Sequence, residues 1–209
     1  MAQCAALATV VLTACKKGDD TAALQEEWQA RNTTWYGMAA DSARNAIATA
    51  QRQWGDKWEK HCDWRILNST KLQPGTNTDA MQTVCLHYIK HDTIATDVPL
   101  WNDAVHVNYR GWLLSESAYA PGSVFDQSYY GAYNVATAYP NKLTVSETVT
   151  GFATALQYLH KGEEVMLYIP YTLGYGVDGT ESIRGGSTLL FRLHLIDFYH
   201  SDQTVPDWK

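Results

Sequence analysis

A turn-rich stretch at residues 68–79 (NSTKLQPGTNTD) divides this chain into two parts with different hydrophobic periods. Before it, apolar residues recur at steps of three, four and seven, which is the period of one helical face. After it come short runs in which apolar and polar residues partly alternate, as in antiparallel strands with one buried face. The chain therefore predicts a long helix followed by a sheet, which is an α+β fold.

The helical pattern covers residues 21–54 and is rich in tryptophan. Its apolar positions are Leu24, Trp28, Trp35, Ala39, Ala43, Ile47, Ala50 and Trp54. Asp20 or Thr21 can cap the start and Gly55 the end, whereas Gly37 weakens the interior and can bend or divide the helix. This apolar stripe can pack on the following domain or join a second copy of the chain, and the pattern leaves both alternatives open.

Four strand-like runs and one further helical run follow the turn-rich stretch. The strand-like runs are residues 84–90, 104–114, 163–169 and 187–199. The helical run, residues 149–160, places Phe152, Leu156 and Leu159 on one face, and Gly162 stands where a C′ glycine belongs. A curved antiparallel sheet wrapped around this short helix is the simplest arrangement that buries both.

Composition excludes several classes of function. The chain has 16 basic and 22 acidic residues with no basic block, so it lacks the clustered positive charge that nucleic-acid binding needs. Its histidines and cysteines do not have the spacing of zinc ligands. Residues 174–179 (GYGVDG) match the dinucleotide pattern GxGxxG, but Pro170 interrupts the approach and no helical pattern follows. We therefore predict no nucleic-acid partner, no metal and no nucleotide.

The N-terminal residues resemble a bacterial lipoprotein signal. Residues 5–14 are apolar and too short to span a bilayer, and Leu12, Thr13 and Ala14 precede Cys15 as in a lipobox. This predicts a signal peptide at residues 1–14 and a lipid on Cys15 that anchors the protein to a membrane of the cell envelope. The first three residues lack the usual basic charge, and a buried N-terminal strand is the alternative.

Two cysteines remain beyond this signal, Cys62 and Cys85. Outside the cytosol they can form a disulfide. They can also remain as two buried free thiols, because their spacing alone does not place their Cα atoms close enough to pair.

Five sequence blocks occur in a characteristic order over residues 84–200. The blocks are VHVNYRG at 105–111, FDQS at 125–128, TVTGF at 148–152, residues 162–176 with GE, YIP and LGYG, and STLLF at 187–191. Together they resemble the FKBP-type peptidyl-prolyl isomerases. The resemblance implies an FKBP-like sheet around one short helix at residues 81–209, preceded by a helical extension and linker at residues 15–80.

The resemblance also implies a function and a set of site residues. The activity is cis-trans isomerisation of Xaa-Pro bonds, which assists the folding of exported proteins without a cofactor. Phe152 forms the floor of an apolar pocket, and Asp126 and Tyr175 are its polar groups; these three are the catalytic candidates. The pocket walls that bind the proline-containing polypeptide are Tyr109, Phe125, Val149, Ile183 and Phe191.

Two segments depart from the family pattern. Ile183 is followed by Arg184, Gly185 and Gly186 where the family commonly has Ile-Pro-Pro. This difference at the pocket rim favours an alternative function, a chaperone or binding module with little isomerase activity. Residues 129–143 do not align, and Tyr139 is the candidate aromatic in that segment. Some envelope members of the family, those that resemble the macrophage infectivity potentiator, dimerise through N-terminal helices, so the resemblance is compatible with a homodimer through residues 21–54 as well as with a helix that packs on its own sheet.

Overall fold

The structure is a computed structural model that describes residues 17–71, 79–92 and 94–208, and side chains from residue 21 onward. The helices are α1 (Lys17–Trp54) and α2 (Thr150–Leu156). The strands are β1 (Trp64–Asn68), β2 (Thr83–Lys90), β3 (Ala104–Leu114), β4 (Pro121–Gln127), β5 (Asn141–Thr144), β6 (Glu164–Ile169) and β7 (Leu189–Tyr199). Short 3-10 helices lie at Gly55–His61, Ala80–Gln82, Val145–Glu147 and Tyr171–Leu173. The predicted signal peptide and Cys15 lie outside the described residues.

All described strands belong to one antiparallel sheet with the order β1-β2-β6-β7-β3-β4, and β5 pairs with part of β3. The long β3–β7 pair extends from Ala104 opposite Tyr199 to Trp112 opposite Leu190, with one irregularity between His106 and Val107. Helix α2 packs on one face of this sheet and α1 on the other. The predicted α+β fold, an antiparallel sheet around a short helix with an N-terminal helical extension, is confirmed.

Strict alternation of side chains separates the two faces of the sheet. On β6, Val165, Leu167 and Ile169 join the core beneath α2, whereas Met166 and Tyr168 contact clusters that include residues of α1. We call these the α2 face and the α1 face. The α2 face holds the larger apolar core, which is mainly aliphatic, and the α1 face is richer in Trp and Tyr.

Helix α1 is continuous for 38 residues and is not divided at Gly37. Trp28 and Trp35 are buried against Leu114 and Leu190 of the sheet. The apolar stripe therefore packs on this chain's own sheet, which was one of the two alternatives left open by the sequence. Leu24 and Trp54, at the two ends of the stripe, stay exposed.

Several elements differ from their predicted bounds. Helix α2 ends at Leu156, four residues earlier than predicted, although Leu159 is still fully buried in the turn that follows. Gly162 has a positive φ of 85°, but it lies in a separate turn just before β6 rather than at the C′ position of the helix. Strands β1, β4 and β5 were not predicted. Strand β1 falls within the range assigned to the extension and linker, and it pairs with β2 in the sheet.

Cys62 and Cys85 are both buried free thiols, so they do not form a disulfide. The Cys85 thiol donates to the Tyr36 hydroxyl at 3.6 Å, and that hydroxyl donates to the carbonyl of Thr83 at 2.6 Å. Burial raises the pKa of the Cys85 thiol to about 11. These contacts give the thiol a structural environment against α1 rather than a reactive one.

Candidate functional site

Four aromatic rings converge on the α2 face at the end of the sheet formed by β3, β4 and β7. The ring of Phe191 meets those of Tyr109, Phe125 and Phe152, with centroid distances of 6.1, 5.3 and 5.1 Å and interplanar angles of 68°, 77° and 76°. Tyr109 also meets Phe152 edge-on at 5.9 Å. Edge-to-face packing of this kind is the favourable geometry for aromatic rings. We call these four residues the aromatic cluster.

Gly111 makes this convergence sterically feasible. It lies opposite Phe191 of β7 on one side and opposite Asp126 of β4 on the other. A Cβ atom at position 111 would stand 2.7 Å from the Phe191 ring and 2.8 Å from the Phe125 ring. Both rings therefore lie directly over the bare backbone of β3. The glycine was part of the VHVNYRG block, but its role depends on strand register, which the sequence did not reveal.

Helix α2 supplies the Phe152 ring. Phe152 is only 4% exposed, and its backbone N–H donates to the carbonyl of Val149 at 2.9 Å. Gly151 beside it lies so close to the sheet that an added Cβ would overlap the side chain of Ile169. A glycine here thus lets the short helix approach the sheet and press the neighbouring Phe152 into the cluster.

Val149 and Ile183 belong to the same apolar region of the α2 face as the cluster. Ile183 is buried in the same core as the cluster, and the half-buried Val149 packs against that core from the start of α2. The structure therefore brings Tyr109, Phe125 and Phe191 into ring contact along with Phe152, and places the other two predicted wall residues, Val149 and Ile183, in or against the same apolar core.

The polar groups lie at the exposed edge of the cluster. The Tyr109 hydroxyl donates to Oδ2 of Asp126 at 2.9 Å and accepts from Nδ2 of Asn141 at 3.3 Å. Asp126 is exposed on β4, and Tyr175 is 36% exposed on the loop that follows Leu173. Burial and the adjacent Asp126 carboxylate raise the pKa of Tyr109 to about 12 and also raise the pKa of Tyr175. Both phenols are therefore neutral hydrogen-bonding groups near pH 7.

The unaligned segment contributes differently from what the sequence predicted. The side chain of Tyr139 is 64% exposed, and its hydroxyl donates to the carbonyl of Trp208 at 3.3 Å. Asn141, two residues later on β5, is the residue that bonds to Tyr109 of the cluster. The sequence carried no signal for Asn141, because its position follows from the pairing of β5 with β3.

The GYGVDG segment forms a compact hairpin loop rather than the strand-to-helix turn of a dinucleotide site. Gly179 and Arg184 form an isolated bridge, and Gly179 has a φ of 70°. A Cβ at Gly179 would stand 2.5 Å from the backbone nitrogen of Gly185. The glycines thus allow two backbone segments to touch, and the loop they form carries Tyr175 and Ile183.

A cavity of about 710 Å³ lies outside the aromatic cluster, between Trp58, Tyr88, His91 and His160 among others. Within the described residues, no three His, Cys, Asp or Glu side chains are grouped so that they could hold a metal ion. None of the helices in that same part of the chain combines the length and hydrophobicity required to cross a bilayer.

Residues 97–196, which include every member of the aromatic cluster, match the family model of the FKBP-type peptidyl-prolyl cis-trans isomerases. This part of the molecule is a domain of that family. The matched range starts before β3 and ends within β7, so it contains α2, β3, β4, β5 and β6.

Two relatives identified by sequence agree with this assignment. The FKBP-type peptidyl-prolyl cis-trans isomerase FkpA of Buchnera aphidicola (subsp. Baizongia pistaciae) is 33% identical over 96 residues, which are 46% of this chain and 34% of that protein. FK506-binding protein 2 of Aspergillus fumigatus is 36% identical over 94 residues, 45% of this chain and 63% of that protein. The crystal structure of FkpA from Escherichia coli aligns with a TM-score of 0.46 and 22% identity over 88% of this chain and 74% of that one. The chain spans about a third of the length of the FkpA relative from Buchnera.

Proposed function

We propose that this protein is a peptidyl-prolyl cis-trans isomerase that binds Xaa-Pro segments of unfolded polypeptides over the aromatic cluster. The observation that carries the proposal is the convergence of four rings on one site, with Asp126 and Tyr175 at its exposed edge. Membership of residues 97–196 in the FKBP-type family supports it.

The reaction needs no bond to be made or broken. Rotation about the Xaa-Pro bond crosses a barrier of about 18–20 kcal/mol, because it interrupts amide resonance. The planar amide is more polar than the twisted one and is better solvated by water. An apolar aromatic surface therefore binds the twisted amide in preference to the planar one, which lowers the barrier by differential binding. Lowering it by about 8 kcal/mol corresponds to a roughly millionfold acceleration.

The two polar groups orient the substrate at this surface. The neutral hydroxyl of Tyr175 donates a hydrogen bond to a substrate carbonyl. The Asp126 carboxylate is held by the Tyr109 hydroxyl and interacts electrostatically with the carbonyl as it rotates. Phe152 contacts the proline ring from below, and Val149, Ile183, Phe125 and Phe191 enclose it. None of these roles requires proton transfer, so neither a cofactor nor a metal enters the mechanism.

A protease-coupled assay with a Xaa-Pro tetrapeptide tests the proposal. The wild-type chain should accelerate isomerisation, and Tyr175→Phe and Asp126→Asn should each lower kcat/KM about tenfold, which corresponds to ~1.4 kcal/mol. Gln51→Ala, at an exposed position on α1, is the control and should retain full activity. Absence of acceleration by the folded wild-type chain would refute the proposal.

A chaperone or binding module with little isomerase activity is the second candidate. The observation that favours it is the rim sequence, in which Ile183 is followed by Arg184, Gly185 and Gly186 where the family commonly has Ile-Pro-Pro. Retained binding of an unfolded protein together with no acceleration in the assay would establish this alternative.

We also propose that the protein acts at the cell envelope, where a lipid on Cys15 anchors it and exported chains are its clients. The Leu-Thr-Ala-Cys sequence supports this location. Labelling with a radioactive fatty acid should mark the wild-type protein and not Cys15→Ser; equal labelling of both would contradict the anchor.

A homodimer through residues 21–54 stays a prediction, and burial of most of the stripe on the sheet weighs against it. Sedimentation of the full chain tests this directly, because a monomer at all concentrations excludes the dimer.

A further inference from the structure

The first turns of α1 contact the loop that carries Tyr175 and Ile183, although about 160 residues separate them in the chain. Nε2 of Gln25 donates to the carbonyl of Gly185 at 2.7 Å. In return, Nε of Arg184 donates to Oε1 of Gln25 at 2.7 Å, and its Nη2 donates to the carbonyl of Leu24 at 2.6 Å. The helix and the loop therefore exchange hydrogen bonds in both directions.

Trp28, one turn further along α1, contacts the same loop with both its ring and its N–H. The guanidinium of Arg184 lies over its ring, 5.4 Å from the centroid, as in a cation–π contact. Its Nε1 donates to Oγ of Ser187 at 3.0 Å. Trp28 is 7% exposed, so this indole N–H is satisfied in a buried position. Arg184 is thus fixed by contacts on two successive turns of the helix.

The other side of the loop is held in the same way. Nε2 of Gln29 donates to the hydroxyl of Tyr171 at 3.0 Å, in the 3-10 helix that precedes Tyr175. Gly186 lies so close to α1 that an added Cβ would stand 2.9 Å from Cβ of Gln29. Segments on both sides of the loop, near Tyr171 and near Gly186, therefore rest on one face of α1.

Backbone contacts inside the loop connect these anchors to the site residues. The N–H of Gly186 donates to the carbonyl of Gly176 at 2.9 Å, and the N–H of Thr180 donates to the carbonyl of Ile183 at 2.8 Å. Tyr175 is bonded to the anchored segment through Gly176, and Ile183 is adjacent to Arg184. A displacement of the anchors therefore moves both site residues together.

We propose that α1 positions the substrate-binding loop, with Gln25, Trp28 and Arg184 as positioning residues that do not themselves touch substrate. The inference rests on the function proposed above and adds a role for the helix outside the family-matched range. Arg184 replaces a proline that would stiffen the rim by itself; here the helix provides that stiffness through side-chain contacts. When the anchors are lost, fewer molecules hold the loop in its binding conformation, so the apparent affinity for substrate falls by that fraction.

The test uses the full-length double variant Gln25→Ala/Gln29→Ala, because alanine favours the helix and removes only contacts to the loop. Amide hydrogen exchange is measured at Thr180 and Gly186, together with KM and kcat for a Xaa-Pro peptide. We expect exchange at both amides to become at least about fivefold faster, as loss of two loop-anchoring hydrogen bonds predicts. KM should rise about two- to fivefold while kcat stays unchanged.

Two further variants separate positioning from a general loss of structure. Gln51→Ala carries the same change at an exposed position on α1 and should leave exchange and KM at wild-type values. Gln25→Glu keeps an acceptor for Arg184 but loses the donor to the Gly185 carbonyl, so its KM should lie between those of the wild type and the double variant. A general destabilisation would instead lower the active fraction, and thus the apparent kcat, without changing KM.

Unchanged exchange at Thr180 and Gly186 in the double variant would overturn the inference. So would a fall in apparent kcat at constant KM. If the wild-type chain has no isomerase activity, the proposed function fails, but exchange still decides whether α1 holds the loop.

Discussion

The two faces of the sheet differ in the environment of their polar side chains, which are either hydrogen-bonded within the protein or exposed at an edge. On the α1 face, the fully buried side chain of Asn32 is satisfied within the chain, because it accepts from the N–H of Thr188 at 2.9 Å and donates to the carbonyl of Trp28 at 2.9 Å. At the aromatic cluster of the α2 face, Asp126 and Tyr175 instead remain at an exposed edge. Internal hydrogen bonds fix how α1 docks, whereas polar groups at an exposed edge can act on a ligand.

The largest expected effect comes from removing one large ring on each face. Phe152→Ala and Trp35→Ala each delete a buried aromatic side chain, so each should lower the free energy of unfolding by about 3–5 kcal/mol. Only Phe152→Ala should also reduce kcat/KM per folded molecule, since Trp35 lies on the α1 face. Urea unfolding gives the first quantity and the protease-coupled assay the second. An equal loss of activity in both variants would remove the functional distinction between the faces.

The next effect tests the buried polar contacts of the α1 face. Asn32→Ala leaves the N–H of Thr188 without its acceptor in a buried position, which should cost about 1–3 kcal/mol of stability. Thr34→Ala removes an exposed side chain two residues away on the same helix and should change stability by less than about 0.5 kcal/mol. Equal urea midpoints for the two variants would mean that Asn32 does not contribute to docking of α1.

A smaller effect is expected from removing one hydroxyl on each face. Tyr109→Phe keeps the ring and loses the bond to Asp126, so stability should fall by about 1 kcal/mol, because Asp126 is exposed and can bind water instead. Because the Asp126 carboxylate is then no longer held in place, kcat/KM should fall several-fold. Tyr133→Phe removes the hydroxyl that contacts Nδ1 of His194 and should leave activity unchanged. Equal activities of the two variants would exclude a role for the Tyr109–Asp126 pair.

The smallest effect concerns pH. Burial raises the pKa of Tyr109 from 10.0 to about 12, so its hydroxyl stays protonated throughout the neutral range. Because no step transfers a proton, kcat/KM should stay constant between about pH 7 and 9. Above about pH 10 the unfolded phenol loses its proton before the folded one, so stability should fall as pH rises toward 12. Tyr109→Phe should make this fall shallower; an identical slope in wild type and variant would contradict the assigned pKa.

Local patterns predicted the elements that carry strong periodicity. Strands β3, β6 and β7 were located within two residues, because their side chains alternate between two buried or half-buried faces. Strands β4 and β5 escaped prediction because β4 is largely exposed and β5 has only four residues, so neither shows a clear alternation. The family resemblance supplied the residues of the aromatic cluster. Their geometry, including the close approach at Gly111, required the strand register.

Long-range contacts account for the rest of what the sequence could not predict. Asn141 reaches Tyr109 only because β5 pairs with β3, and Gln25 reaches Gly185 only because α1 packs on the sheet beside the start of β7. Neither side chain belongs to a local pattern that indicates a partner. The helical period of α1 predicted an apolar stripe that packs on another surface, but not that Trp28 in this stripe would hold the loop beside the site.

A nuclear magnetic resonance titration with a Xaa-Pro peptide, which records chemical shifts of the full-length protein and the exchange rate between peptide isomers, measures binding and catalysis together. The account predicts accelerated exchange between the cis and trans peptides, with shift changes centred on Tyr109, Phe125, Phe152 and Phe191 and not on Trp28 or Trp35. Accelerated exchange with shift changes confined to the α1 face, or peptide binding at the aromatic cluster with no acceleration, would contradict it.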